Sequence, residues 1–188
     1  MKNLKKIGLI LLVLFTVIKA EGQTNKIDVS KSIINWVGKK ITGQHEGTIK
    51  LKDGYIIFKN NKVVGGDFNA DMKSLSNTDQ TGKSKIKLEG HLKSDDFFGI
   101  DNYTTSNLVF KTIGDKGNNV YAVTADLTIK GVTNPVKFDL IVKGNTATAA
   151  LKIDRTKYDI KYGSGSYFDD LGDKTIYDEF ELNVDLVF

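Results

Sequence analysis

Residues 118–155 read NNVYAVTADLTIKGVTNPVKFDLIVKGNTATAALKIDR. Tyr121, Val123, Ala125, Leu127 and Ile129 fall on one face, against Thr124, Asp126, Thr128 and Lys130. After a turn at GVTNP, Val136, Phe138, Leu140 and Val142 repeat the pattern. Gly144-Asn145 turns the chain again, and Ala147, Ala149, Leu151 and Ile153 align. A period of two between tight turns marks antiparallel hairpins with one buried face. Pro135 falls at the start of its strand, where a missing N–H costs least.

The same period runs outward from this stretch. In SIINWVGKK, Ile34 and Trp36 share a face opposite Ile33 and Val37. GTIKLKDGYIIF reads as two strands about an Asp53-Gly54 turn, a preferred hairpin dipeptide. VVGGDFNADMKSL places Val64, Phe68, Ala70 and Met72 together, and SNLVFKTIG contributes Leu108 and Phe110. The last segment, EFELNVDLVF, alternates most cleanly: Phe180, Leu182, Val184, Leu186 and Phe188 oppose Glu181, Asn183 and Asp185. No helical segments recur between the strands, which argues against a parallel βαβ layout. The expectation is an all-β domain, one antiparallel sheet folded as a sandwich or closed into a barrel. Closure has the advantage of removing exposed edges.

Residues 79–98, DQTGKSKIKLEGHLKSDDFF, break the alternation. Leu88 and Leu92 are spaced i, i+4, which predicts a short helix over 82–92. Ser94 precedes an Asp-rich segment, an arrangement suited to starting a further turn at 95–99. Such an insertion, around 80–98, can carry Phe97 and Phe98 onto a barrel as a plug or lid.

The N-terminus, MKNLKKIGLILLVLFTVIKAEGQ, has Lys2, Lys5 and Lys6 ahead of an apolar run from Ile7 to Ile18. Small residues follow at Ala20 and Gly22. This predicts a signal peptide over 1–22, cleaved after Ala20 or Gly22, too short to serve as a comfortable membrane span. The remainder, 23–188, reads as one domain of an exported, periplasmic or secreted protein. The whole chain carries 27 basic and 23 acidic residues. The leader takes four lysines and one glutamate with it, leaving 23 and 22. The alkaline balance is thus mostly a targeting signal and does not point to nucleic acid.

Chemistry-bearing motifs are sparse. The chain has no cysteine, which removes thiolate catalysis, thiolate metal sites and disulfides. His45 and His91 have no second His or carboxylate at metal-ligand spacing. The GSGS at 163–166 lacks the Lys-Ser/Thr of a phosphate loop, and no Gly-x-Ser-x-Gly occurs. Arg155 is the only arginine. Its planar fork suits a structural Arg–Asp pair or a ligand head group at a cavity mouth. Small inward residues (Ala125, Ala147, Ala149) and inward aromatics (Trp36, Phe68, Phe110, Phe138, Phe180, Phe188) fit both a packed core and a cavity.

Several segments together resemble the YceI-like family of bacterial lipid- or polyisoprenoid-binding proteins, over roughly 26–188. They are FNADMKSL (68–75), HLKSDDFFGIDNYTTSNLVF (91–110), ADLTIKGVTNPVKF (125–138) and IDRTKYDIKYGS (153–164). After Arg155 the chain has Thr-Lys-Tyr-Asp-Ile, where the common family form has Asp-Phe-Gly. The resemblance implies an extended, eight-stranded, lipocalin-like antiparallel barrel with a tunnel for an isoprenoid or fatty-acyl amphiphile. It also implies an exported, non-catalytic protein; no cofactor is expected, the histidine spacing argues against a metal and the apolar length against a stable membrane anchor, while a homodimer stays open. The side chains it nominates for the tunnel lining or mouth are Trp36, His45, Phe68, Met72, Leu92, Phe97, Phe98, Phe110, Leu127, Phe138, Arg155, Tyr158 and Phe180. Two other readings compete. One is a solid-core interaction or stress-related barrel. The other is a hydrolase or isomerase using His45, His91 or Arg155.

Overall fold

In a computed structural model, residues 22–188 are described. The expected leader at 1–22 therefore falls almost wholly outside the described residues. Nine strands and one helix follow in order: β1 (Gln23–Lys26), β2 (Ile33–Lys40), β3 (Gly43–Lys59), β4 (Lys62–Asn77), α1 (Gly82–Lys93), β5 (Thr105–Asp115), β6 (Val120–Ile129), β7 (Val132–Lys143), β8 (Thr146–Asp154) and β9 (Ile176–Val187). The sheet runs β3-β2-β9-β8-β7-β6-β5-β4, and a further β3–β4 pairing closes it into an eight-stranded antiparallel barrel. β1 extends the wall by pairing Gln23–Lys26 with Phe58–Tyr55 of β3.

The alternation of 118–155 survives intact: Tyr121, Val123, Ala125, Leu127 and Ile129 are all buried. Three local expectations need correction. Asp53-Gly54 is no turn, because β3 runs through it for 17 residues. Gly54 pairs with Phe68, and a Cβ there would lie 2.9 Å from the Phe68 ring and 3.1 Å from the Asp67 carbonyl. Close packing, rather than a bend, thus selects that glycine. The real hairpin tip is Asn60-Asn61, both at positive φ (51° and 59°), which asparagine tolerates.

The second correction is parity in β4. The register slips between Ile57 and Phe58, so Val63 points inward and Val64 is exposed. A bulge inserts an odd residue and flips the faces beyond it. Thirdly, GVTNP is mostly strand. The turn is Lys130-Gly131, and Pro135 is the fourth residue of β7, paired with Asp126. It lies in the part of β7 that β8 leaves unpaired, since that ladder covers only Leu140–Lys143. The missing N–H is tolerated on such an edge.

α1 lies across one barrel end with no fully buried side chain. Glu89 fastens it there by accepting from the Ser76 hydroxyl (2.9 Å) and the Asn77 N–H (2.8 Å). Ser94 does not cap a following turn with its side chain. Its hydroxyl donates back to the His91 carbonyl (2.8 Å) and closes α1. Its own carbonyl accepts the N–H groups of Phe97 (3.0 Å) and Gly99 (2.8 Å). That turn drives Phe97 to 7% exposure.

Candidate functional site: two apolar chambers in the barrel

The barrel is packed at one end and hollow in the middle. At the end away from α1, Ile56, Val63, Tyr121, Ala125 and Ala147 form a tight cluster, each at or below 3% exposure. Phe188 stacks there on Phe58, 5.5 Å between centroids. Ala125 and Ala147 thus serve packing, and only Ala149 of the three small inward residues borders open space. Inward residues nearer the middle (Ile34, Leu108, Phe110, Phe138, Leu182, Val184) stay partly exposed, because they face a cavity.

That main chamber is a cavity of about 110 Å3, within about 860 Å3 of non-atom space once its open mouth is included. Ile49, Leu51, Phe68, Ala70, Met72, Phe110, Leu127, Ile129, Phe138, Leu140, Leu151 and Leu186 also line it. Two of its wall residues, Ser106 and Asn107, are polar. The Asn107 amide is already spent on Asp67 (2.8 Å) and Asn69 (3.0 Å).

A second chamber, about 480 Å3 of non-atom space with its mouth included, lies between α1 and the β2–β9 edge. Its walls are Trp36, Gly38, Lys39, Ile49, Leu75, Leu92, Phe97, Phe98, Arg155, Ile176, Tyr177, Glu179 and Phe180. Phe98 and Ile49 belong to both chambers. The space arises from a bulge: Gly38 pairs with Phe180, but Lys40 pairs with Ile176, so the two strands part around Lys39.

Arg155 is 2% exposed and anchors this end. Its guanidinium donates to the carbonyls of Ile160 (2.8 Å), Ile176 (3.0 Å) and Tyr177 (3.1 Å), and approaches Asp178 at 3.5 Å. It also lies over the Phe97 ring, 5.7 Å from the centroid. Burial lowers its pKa, with Asp178 and Asp154 opposing. Three carbonyls met by three separate nitrogens of one planar fork suit arginine better than the compact ammonium of lysine. Tyr158, beside it, is wedged into the wall and lines neither chamber. Burial pushes its phenol up to about 12, with Asp154 adding to the shift.

His45 lies outside both chambers, at the β2–β3 end, where its Nδ1 contacts Asp79 at 2.8 Å. His91 packs edge-on against Phe97 (5.7 Å) and Tyr162 (4.3 Å). The other nominated residues fall on chamber walls. Reasoning from sequence passed over Leu140, Leu151, Leu182 and Val184, which the period of two had put on inward faces, and Ile49 and Leu51, to which it assigned no face. It also missed Lys39, Tyr177 and Glu179, whose place depends on the β2–β9 bulge.

A family model described as the YceI-like domain matches residues 26–188. Curated relatives include a UPF0312 protein of Shewanella denitrificans, 32% identical over 45% of this chain and 42% of its own length. A UPF0312 protein of Vibrio parahaemolyticus is 26% identical over 62% of this chain and 72% of its own. One of Staphylococcus aureus is 37% identical over 44% and 47%. The matched region thus spans less than half the length of two of these three relatives. Among solved structures, Burkholderia cenocepacia BcnA superposes with a TM-score of 0.69 at 24% identity, covering 86% of this chain and 99% of its own. A polyisoprenoid binding domain from Saccharophagus degradans, implicated in plant cell wall breakdown, gives 0.57 at 15%, covering 86% and 95%. At these identities the likeness is one of fold.

Proposed function

The chain belongs to the YceI-like family, and on that footing we propose that it is an exported, non-catalytic carrier. It holds an isoprenoid or other long apolar chain inside its barrel. The observation that carries this reading is the hollow middle of a closed barrel, walled by apolar side chains. Among the described residues no charged side chain lines the main chamber. An apolar chain entering such a space gains about 25 cal/mol for each Å2 removed from water. The Saccharophagus relative in fold, described as polyisoprenoid binding, suggests the same ligand class.

In this reading Phe68, Met72, Phe110, Leu127 and Phe138 hold the chain in the main chamber. Trp36, Leu92, Phe97, Phe98 and Phe180 flank its passage through the second, which Arg155 braces. The separate settings of His45 (against Asp79) and His91 (against Phe97 and Tyr162) favour structural roles for both. The lysine-led apolar N-terminus favours export to the periplasm or beyond.

Native mass spectrometry of gently purified protein, followed by lipid extraction, tests the proposal. One apolar chain per barrel is the expected result. A protein that arrives empty and takes up no fluorescent isoprenoid or fatty acid would overturn it.

A further inference from the structure

We propose that the second chamber seats the ligand's polar end, and that it takes an uncharged hydrogen-bond acceptor (a hydroxyl, carbonyl or amide oxygen) in preference to a phosphate or diphosphate. This rests on the carrier reading and narrows its ligand class.

Three observations converge. The chambers share Phe98 and Ile49 as walls, so a chain seated in the apolar main chamber needs only displacement of the Phe98 ring for its head to reach the second. Trp36 walls that second chamber at 8% exposure, and its buried indole Nε1–H has no partner among the described residues. An indole nitrogen only donates, and a buried donor left unpaired is costly, so an acceptor oxygen on the ligand relieves it. The cations of the wall are already engaged. Lys39 Nζ is 2.8 Å from Glu181, and Arg155 serves three carbonyls and faces Asp178. Glu179 adds a further carboxylate. A diphosphate would thus meet the lining carboxylate of Glu179 and two cations that Glu181 and Asp178 already pair from behind the wall, and like charges at close range repel. A neutral head meets no such penalty.

The test uses three probes with matched tails: geranylgeraniol, geranylgeranyl diphosphate and the parent hydrocarbon without a head group. Calorimetry on lipid-stripped protein gives affinities, and Trp36, the only tryptophan, reports occupancy by its emission. Geranylgeraniol should bind about tenfold or more tighter than the diphosphate, the effect of one unfavourable charge contact. Glu179→Lys, at an exposed position, should narrow that gap. Trp36→Phe should weaken geranylgeraniol about tenfold more than it weakens the hydrocarbon, as for one lost hydrogen bond. A diphosphate that binds as tightly as the alcohol overturns the inference and leaves the carrier reading standing. So does a Glu179→Lys variant with an unchanged gap, or a Trp36→Phe variant that loses the hydrocarbon equally. Failure of all three probes overturns the carrier reading itself.

Discussion

Phe98 meets Phe180 edge to face, with ring centroids 6.4 Å apart and planes at 87°. Phe98 borders both chambers and Phe180 only the second, so this contact holds part of the partition between them. Phe97 supports it from behind, 5.1 Å from Phe98. The two adjacent phenylalanines therefore have different tasks. Phe98→Ala should merge the chambers and speed release of a fluorescent fatty acid, read by stopped-flow. Phe97→Ala should cost about 3–5 kcal/mol of stability in urea denaturation, as for a buried phenylalanine, with a smaller effect on release. Equal effects on release from both variants would remove the distinction.

Ala149 offers a test of the chamber itself. It is a small inward residue bordering the main cavity, with Leu182 and Val184 nearby on the same wall. Ala149→Leu should fill space that is empty, and so cost little or stabilise by about 0.5–2 kcal/mol. Binding of a long-chain probe should fall at the same time. A strongly destabilised Ala149→Leu variant would mean that the site is already full.

Arg155 joins the segment after β8 to the start of β9 through the carbonyls of Ile160, Ile176 and Tyr177. Arg155→Lys keeps the charge but loses the fork. It should cost about 2–4 kcal/mol, because buried carbonyls lose charge-assisted partners. Chemical denaturation reads this directly, and a cost near zero would show that water replaces the guanidinium there.

The link between α1 and the barrel should make the protein sensitive to acid. Burial would raise the Asp79 carboxyl, but the Glu46 N–H (2.9 Å), His45 and the Asn77 amide hold it below its ordinary value. Burial likewise opposes, and the Asn77 N–H and Ser76 hydroxyl outweigh it, at Glu89. Both carboxyls bind protons more readily in the unfolded chain. Their contribution is therefore full above the ordinary carboxylate pKa, about 4, and is lost as pH falls through the lower folded values. Urea midpoints should drop between about pH 5 and pH 3. Asp79→Asn should be weaker at neutral pH and show a shallower acid decline. Parallel acid limbs in the two proteins would acquit Asp79.

Alternation alone specified the strands and their inward faces, because side chains in a strand point to opposite sides with a period of two. Where it misled, at Asp53-Gly54 and Val64, a bulge or a close contact with a distant strand had taken over. The i, i+4 pair of Leu88 and Leu92 was enough to find α1. The role of Glu89 as its tether was not visible, since Ser76 and Asn77 are hydroxyl and amide partners chosen by space rather than by spacing.

By itself, then, the alternation determined one antiparallel sheet, sandwich or barrel, with a helical insertion able to deliver Phe97 and Phe98 inward, and the family resemblance selected the barrel. Alternation could not determine whether the barrel is hollow. The same period of two describes Ala125 and Ala149, yet one is packed solid and the other faces a cavity. That difference depends on which side chains meet across the barrel from strands far apart in sequence. The second chamber is likewise a tertiary result, since it exists because β2 and β9 slip past each other at Lys39. Local sequence sets which way a side chain points, and only closure of the sheet sets how much room it finds there.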